Sequence, residues 1–249
     1  MLLEARAVSK AFDGFLAVRG VGLEVSAGEI VGIIGPNGAG KSTFFNCLAG
    51  ELAPTAGSIL FDGADVTAAP PEAHARMGMA RTFQIPATFP DLTILDNVMV
   101  GAFLRHPRGA DARDAAMGVL EFAGLGGVAH QRAASLGTPG RKRLEIARAL
   151  ATEPRLLLLD EALAGLTPAE IQRAIDLVRE IHRRGVTLVI VEHVMEVILA
   201  LAQRIIVLNH GEVIAAGAPD EVVNLPQVVE AYLGRTLSGR RPAPGAGPS

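Results

Sequence analysis

The sequence predicts an α/β fold whose core is a sheet of buried parallel strands, flanked by an antiparallel β subdomain and carrying an inserted block of helices. Three stretches predict it. The apolar run 29–34 enters a glycine-rich loop and then a helical pattern, the run 156–159 ends in Asp160 and Glu161, and the run 186–191 ends in Glu192 and His193. Short apolar runs of this kind suit strands covered on both faces. Each also delivers reactive side chains at its carboxyl end, where open α/β sheets bind their ligands.

The loop is Gly35-Pro36-Asn37-Gly38-Ala39-Gly40-Lys41-Ser42-Thr43, which fits the phosphate-loop pattern GxxxxGK[ST] between a strand and a helix. Glycines let the backbone curl so that its N–H groups converge on phosphate oxygens, and the following helix adds its positive end. Lys41 is expected to reach the terminal phosphates of ATP, and the Ser42 hydroxyl to ligate Mg2+. Of the two carboxylates after the 156–159 run, Asp160 is expected to hold the metal and Glu161 to polarise the attacking water.

Composition narrows the class. The chain has 249 residues, enough for one large domain with a subdomain, and its net charge of -3 advertises no nucleic-acid surface. It is 49% hydrophobic with a mean hydropathy of +0.34, yet no uncharged run approaches the roughly 18 residues that span a bilayer. Membrane contact therefore calls for a partner. The start, Met1-Leu2-Leu3-Glu4, has no signal-peptide character, and Cys47 is the single cysteine, expected as a small buried hydrophobe; both favour a cytoplasmic setting.

In chain order, 2–8 and 18–25 read as antiparallel strands joined through Phe12-Asp13-Gly14-Phe15, with Phe12 or Phe15 free to stack on a base. The helix from Lys41 points Phe44, Phe45 and Leu48 inward. Asp62-Gly63 signals a hairpin, and a further strand ends near Arg81-Thr82-Phe83-Gln84. Pro86 and Pro90 then break the pattern, and 92–104, 112–123 and 141–151 read as helices. The domain reading is a core of 1–85 and 151–237 with a helical subdomain at 86–150.

Thr167-Pro168-Ala169-Glu170 has the form of a capped helix start. His193 lies where it could touch the γ-phosphate or the water, whereas His210 reads as a plain turn residue in a hairpin. Residues 226–233 predict a last short helix, and 238–249, rich in Pro, Gly and Ser, a disordered tail.

With the phosphate loop, Gln84, the 156–161 strand and His193 in this order, the chain resembles the ATPase subunits of ABC transporters over residues 1–235. The resemblance implies a P-loop ATPase that closes as a homo- or heterodimer, each nucleotide held between one phosphate loop and the partner's signature segment. It implies Phe12 as the adenine-stacking aromatic, and Gln84 as a catalytic and metal-site residue linked to the membrane-facing subdomain. GMARTFQIPATFPDLTILDNVMVGAF and GEVIAAGAPDEVVNLPQVVEAYLG look like the branched-chain amino acid importer ATPases. Implied partners are transmembrane permeases and, indirectly, a solute-binding protein, with the chain peripheral on the cytoplasmic face of the membrane. By analogy residues 86–100, with Phe89, Leu92 and Ile94, form the groove for a permease helix.

The chain departs from the family at the signature, usually Leu-Ser-Gly-Gly-Gln, which aligns with Leu136-Gly137-Thr138-Pro139-Gly140. Serine and the central glycine are missing. Thr138 as N-cap, with Arg141 or Lys142, is expected to substitute at the partner's nucleotide. In a heterodimer, the site built on this chain's own phosphate loop should turn over faster. Rival readings are a catalytically weak regulatory ATPase, a soluble ABC-type protein on ribosomes or DNA, and a P-loop kinase. The ribosome or DNA reading lacks paired ATPase units or basic arms, and the kinase has no use for Gln84 and LEIARAL.

Overall fold

The computed structural model describes residues 1–233, so the tail expected at 238–249 lies outside the described residues. The chain opens with β1 (Leu3–Phe12) and β2 (Phe15–Val25), paired antiparallel down to Phe12↔Phe15. Asp13 and Gly14 between them both take positive φ, the two-residue turn that right-twisted hairpins prefer. After β3 (Ile30–Ile34) and α1 (Lys41–Leu48), β4 (Ala56–Phe61) joins β1 and turns at Asp62-Gly63 into β5 (Ala64–Asp65). These four strands form an antiparallel sheet in the order β2-β1-β4-β5.

Next come α2 (Pro71–Met77), β6 (Met79–Arg81), α3 (Ile94–Ala102), α4 (Gly109–Phe122), α5 (Thr138–Leu150) and β7 (Leu156–Asp160). They are followed by α6 (Pro168–Arg183), β8 (Thr187–Val191), α7 (Met195–Leu201), β9 (Arg204–Asn209), β10 (Glu212–Gly217), α8 (Pro219–Val222) and α9 (Pro226–Leu233). The second sheet has the order β10-β9-β3-β8-β7-β6, parallel throughout except for the β9-β10 hairpin at its edge.

Strand periodicity divides the core. Ile33, Leu158, Val189 and Val191 face α1 and the antiparallel sheet, packing with Phe44, Phe45 and Leu48. Ile34, Leu157, Leu159 and Ile190 face the other way, onto Ile175, Val178 and Ile181 of α6 and Val197 and Ile198 of α7. Both faces are covered, which is why β3, β7 and β8 are buried along their whole length. Helices α3, α4 and α5 enclose a separate cluster, with Leu95, Val98, Leu120 and Leu144 among many alanines.

Two local expectations need correction. Ile94 is wholly buried in that helical cluster and lines no surface groove, because Thr93 caps α3 and turns Ile94 inward. Helix α5 starts at Thr138 with Gly137 as its N-cap, three residues before the predicted start at 141. Strand β6 ends at Arg81, as expected of this stretch; beyond it the Thr82 hydroxyl takes the Asp160 amide (3.1 Å) and Glu145 takes that of Phe83 (3.1 Å).

Cys47 is buried on α1, and burial pushes its thiol up to about 11. At pH 8 the thiolate fraction is then about 10⁻³. The folded protein should resist a disulfide-exchange reagent that labels the unfolded chain within minutes, and equal rates would contradict this packing.

Candidate nucleotide site

Three strand ends and the turn after β6 build the site. Leaving β3, Gly35 has φ 150 and sits where a Cβ would lie 2.1 Å from the Leu208 carbonyl oxygen of β9. Gly40, φ 96, is the N-cap of α1, and a Cβ there would meet the Ala17 carbonyl of β2 at 2.5 Å. The loop is thus pressed between β9 and β2 as only glycine permits. No side chain caps α1, which leaves the first N–H groups of the helix open toward the loop's concave side.

Lys41 folds back into this cradle and donates to the carbonyls of Gly35 (2.7 Å) and Pro36 (3.0 Å). Burial lowers its pKa, while the nearby Glu161 charge supports the ammonium. Ser42 is exposed in the first helical turn, with Asn37 and Gly38 exposed at the tip of the loop and Ala39 buried beneath it. This arrangement of amides, ammonium and open helix end fits a chain of phosphates.

Asp160 closes β7 and is almost fully buried. The Arg81 guanidinium reaches it at 3.3 Å, donates to Asn46 of α1 (2.9 Å) and lies over the rings of Phe45 and Phe83. Burial pushes the Asp160 carboxyl upward, and Arg81 opposes that shift. One residue on, Glu161 takes φ 44 and bonds its amide to Val191 of β8 (2.9 Å). Gln84 donates to Oε2 of Glu161 at 2.8 Å, and Nδ1 of His193 lies 3.8 Å from the same oxygen. Residues far apart in sequence therefore meet on one carboxylate, with the other oxygen left for a further donor.

Phe12, 42% exposed, ends β1 with the Lys10 ammonium over its ring, and Phe15 opposite it is 67% exposed. The hairpin they share extends β2, whose Ala17 adjoins Gly40. At the far end, Leu136 to Gly140 lead into α5, with Thr138 exposed but not the cap. Of the two cations expected to aid Thr138, Lys142 is committed inward, donating to the Glu161 carbonyl at 3.0 Å. Arg141 bonds the carbonyls of Leu136 (2.9 Å) and Ala134 (3.4 Å), so it braces its own loop.

Arg81, Glu145 and Glu192 were not picked out as site residues by the sequence reading, and Lys142 was expected at the partner's nucleotide, not at Glu161. Their signal was faint: Lys142, Glu145 and Ala149 fall at the inward spacing of α5, so charged residues occupy positions a helix normally gives to its core.

Residues 18–164 match the ABC transporter family, and residues 212–236 the branched-chain amino acid ATP-binding cassette transporter family. The high-affinity branched-chain amino acid transport ATP-binding protein LivG of Escherichia coli K12 is 38% identical, covering 94% of this chain and 98% of its own. BraF of Pseudomonas aeruginosa, described likewise, is 37% identical at the same coverages. Among solved structures, the ADP conformation of MJ1267, an ATP-binding cassette of an ABC transporter, gives a TM-score of 0.85 at 31% identity over 94% of this chain and 98% of that one. A dimeric post-hydrolysis state of the cassette MJ0796, bound to ADP and Pi, gives 0.80 at 27% identity over 87% and 98%.

Proposed function

Because the chain belongs to the ABC transporter family of ATP-binding subunits, we propose that it powers uptake of branched-chain amino acids or a related small solute through partner permeases. It is an ATPase of that family, and the carboxyl-terminal match at 212–236 carries the assignment to this group of importers.

ATP lies along the phosphate loop, Gly35 to Thr43, with Lys41 and the open N–H groups of α1 on its phosphates and Phe12 against the adenine. Ser42, Asp160 and Gln84 would hold Mg2+ through their side-chain oxygens. When bound, the ion neutralises charge that builds on the phosphates during transfer. Glu161 accepts a hydrogen bond from the attacking water. Gln84 holds its Oε2, with Nδ1 of His193 3.8 Å from the same atom, and so aims its free oxygen.

Two chains close on the nucleotides, each offering Leu136, Gly137, Thr138, Pro139 and Gly140 to its partner's site. Arg141 steadies this segment from within. The partner is a second copy or a distinct ATPase subunit. Residues 1–85 and 151–237 act as the nucleotide core and 86–150 as the helical subdomain. Between them lies a cavity of about 390 Å³ lined by Met79, Arg81, Phe83, Val100, Leu104 and Arg148, with exposed Phe89 and Leu92 on the same subdomain. A permease's cytoplasmic helix seats there, placing the chain on the cytoplasmic face of the membrane. Among the described residues no helix is long and apolar enough to cross it. A solute-binding protein is an indirect partner, and nucleic acid is not one.

The test is to purify the complex that this chain forms in its host membrane, reconstitute it and measure ATP-driven uptake of labelled leucine, isoleucine and valine with the co-purified solute-binding protein. Saturable uptake of one of them, or competition by them against a related small solute, is the expected result. Hydrolysis coupled to none of them would contradict the importer assignment.

A further inference from the structure

We propose that Lys142 is a positioning residue for hydrolysis: from the inner face of α5 its ammonium grips the main-chain carbonyl of Glu161 and holds that residue in its left-handed conformation. This rests on the reading of Glu161 as the group that orients water. The clamp has two jaws. Lys142, 8% exposed, donates to the Glu161 carbonyl at 3.0 Å, an oxygen that also accepts the Ala164 amide at 3.2 Å. Glu192, 0% exposed, accepts the Leu163 amide at 2.8 Å through Oε1. Two buried, oppositely charged side chains thus fix consecutive parts of the segment 161–164 from opposite elements.

Glu161 needs such restraint. Its φ of 44 belongs to a region that residues with a Cβ visit rarely, and from that backbone position its carboxylate accepts from Gln84 at 2.8 Å and lies 3.8 Å from Nδ1 of His193. Burial disfavours the Lys142 ammonium, and the charges of Glu192, Glu145 and Glu161 hold it in place. Oε2 of Glu192 has no hydrogen-bond partner, and burial pushes this carboxyl upward, a shift that the Leu163 amide and the Lys142 charge oppose. Removing the cation alone leaves the Glu192 charge without its counterpart. Because α5 begins with the segment offered to the partner's nucleotide, the grip also ties that segment to Glu161.

A purely charge-balancing lysine would have the same neighbours, and a paired variant separates the two roles. In the full-length chain, Lys142→Met should lower kcat at least about tenfold while ATP affinity stays within about threefold, and Lys142→Arg should keep most of the activity. Lys142→Met with Glu192→Gln removes both charges; it should recover the thermal stability lost in the single variant but leave kcat low. Amide exchange at 162–164, read on the same proteins without turnover, should be at least about fivefold faster in both methionine variants. Wild-type kcat in Lys142→Met, restoration of kcat in the double variant, or unchanged exchange would each overturn the proposal. Glu161→Gln run alongside keeps the failures apart, because wild-type turnover there defeats the water-orienting reading itself.

Discussion

Replacing Glu161 with Gln is expected to lower ATP turnover by at least about 10²-fold, equivalent to about 2.7 kcal/mol of transition-state stabilisation. ATP affinity should stay close to that of the wild type. The exchange keeps size and shape, so the bond from Gln84 can re-form by an amide flip and the backbone clamp at the Glu161 carbonyl is untouched. What disappears is the negative charge that accepts a proton from water as the phosphate is attacked. An effect confined to kcat therefore reports a group acting in the transition state and not in binding. Steady-state phosphate release and equilibrium nucleotide binding on the two proteins decide it. Equal turnover would remove Glu161 from the reaction and leave its convergence with Gln84 and His193 without a role.

Gly35→Ala should be the most damaging single-methyl change in the loop. The added carbon would stand 2.1 Å from the Leu208 carbonyl oxygen, and that oxygen belongs to β9, a strand paired with β3 on one side and β10 on the other. Backbone on both sides has no rotamer escape, so either the loop lifts off β9 or the strand shifts. Lifting the loop also displaces the Gly35 carbonyl that holds Lys41. ATP affinity should fall by at least about 10²-fold. Gly38→Ala is the matched control. Its φ of 77 strains an alanine by about 1–2 kcal/mol, but no heavy atom lies within 4 Å of the new carbon, so affinity should drop less than tenfold. Comparable losses in the two variants would mean that the close approach to β9 is irrelevant to the loop.

Much of this was legible because the decisive signals are local. A glycine pattern between a strand and a helix, and carboxylates at the end of an apolar run, imply their own geometry. The cap at Thr167 was equally readable, since Glu170 takes both the amide and the hydroxyl of Thr167 at 2.8 Å. The start of α5 was harder. A helix can begin on glycine when the preceding loop is braced by tertiary contacts, and no local rule predicts that Arg141 bonds the carbonyls behind it. Ile94 was misplaced because the apolar residues of 89–94 look alike in sequence, and only packing against α4 and α5 separates core from surface. The inward contacts of Lys142 and Glu192 lie furthest from prediction. Their value comes from meeting the same four-residue segment out of two different elements, information no sequence window contains.

The central claim is that magnesium nucleotide is held in the cradle between Lys41 and the acidic strand end. Its most direct measurement is calorimetric titration of the purified full-length chain with ATP in the presence of Mg2+. The account predicts saturable binding of one nucleotide per chain, weakened at least about tenfold by Lys41→Ala. Absence of saturable binding, or affinity indifferent to Lys41, would contradict it.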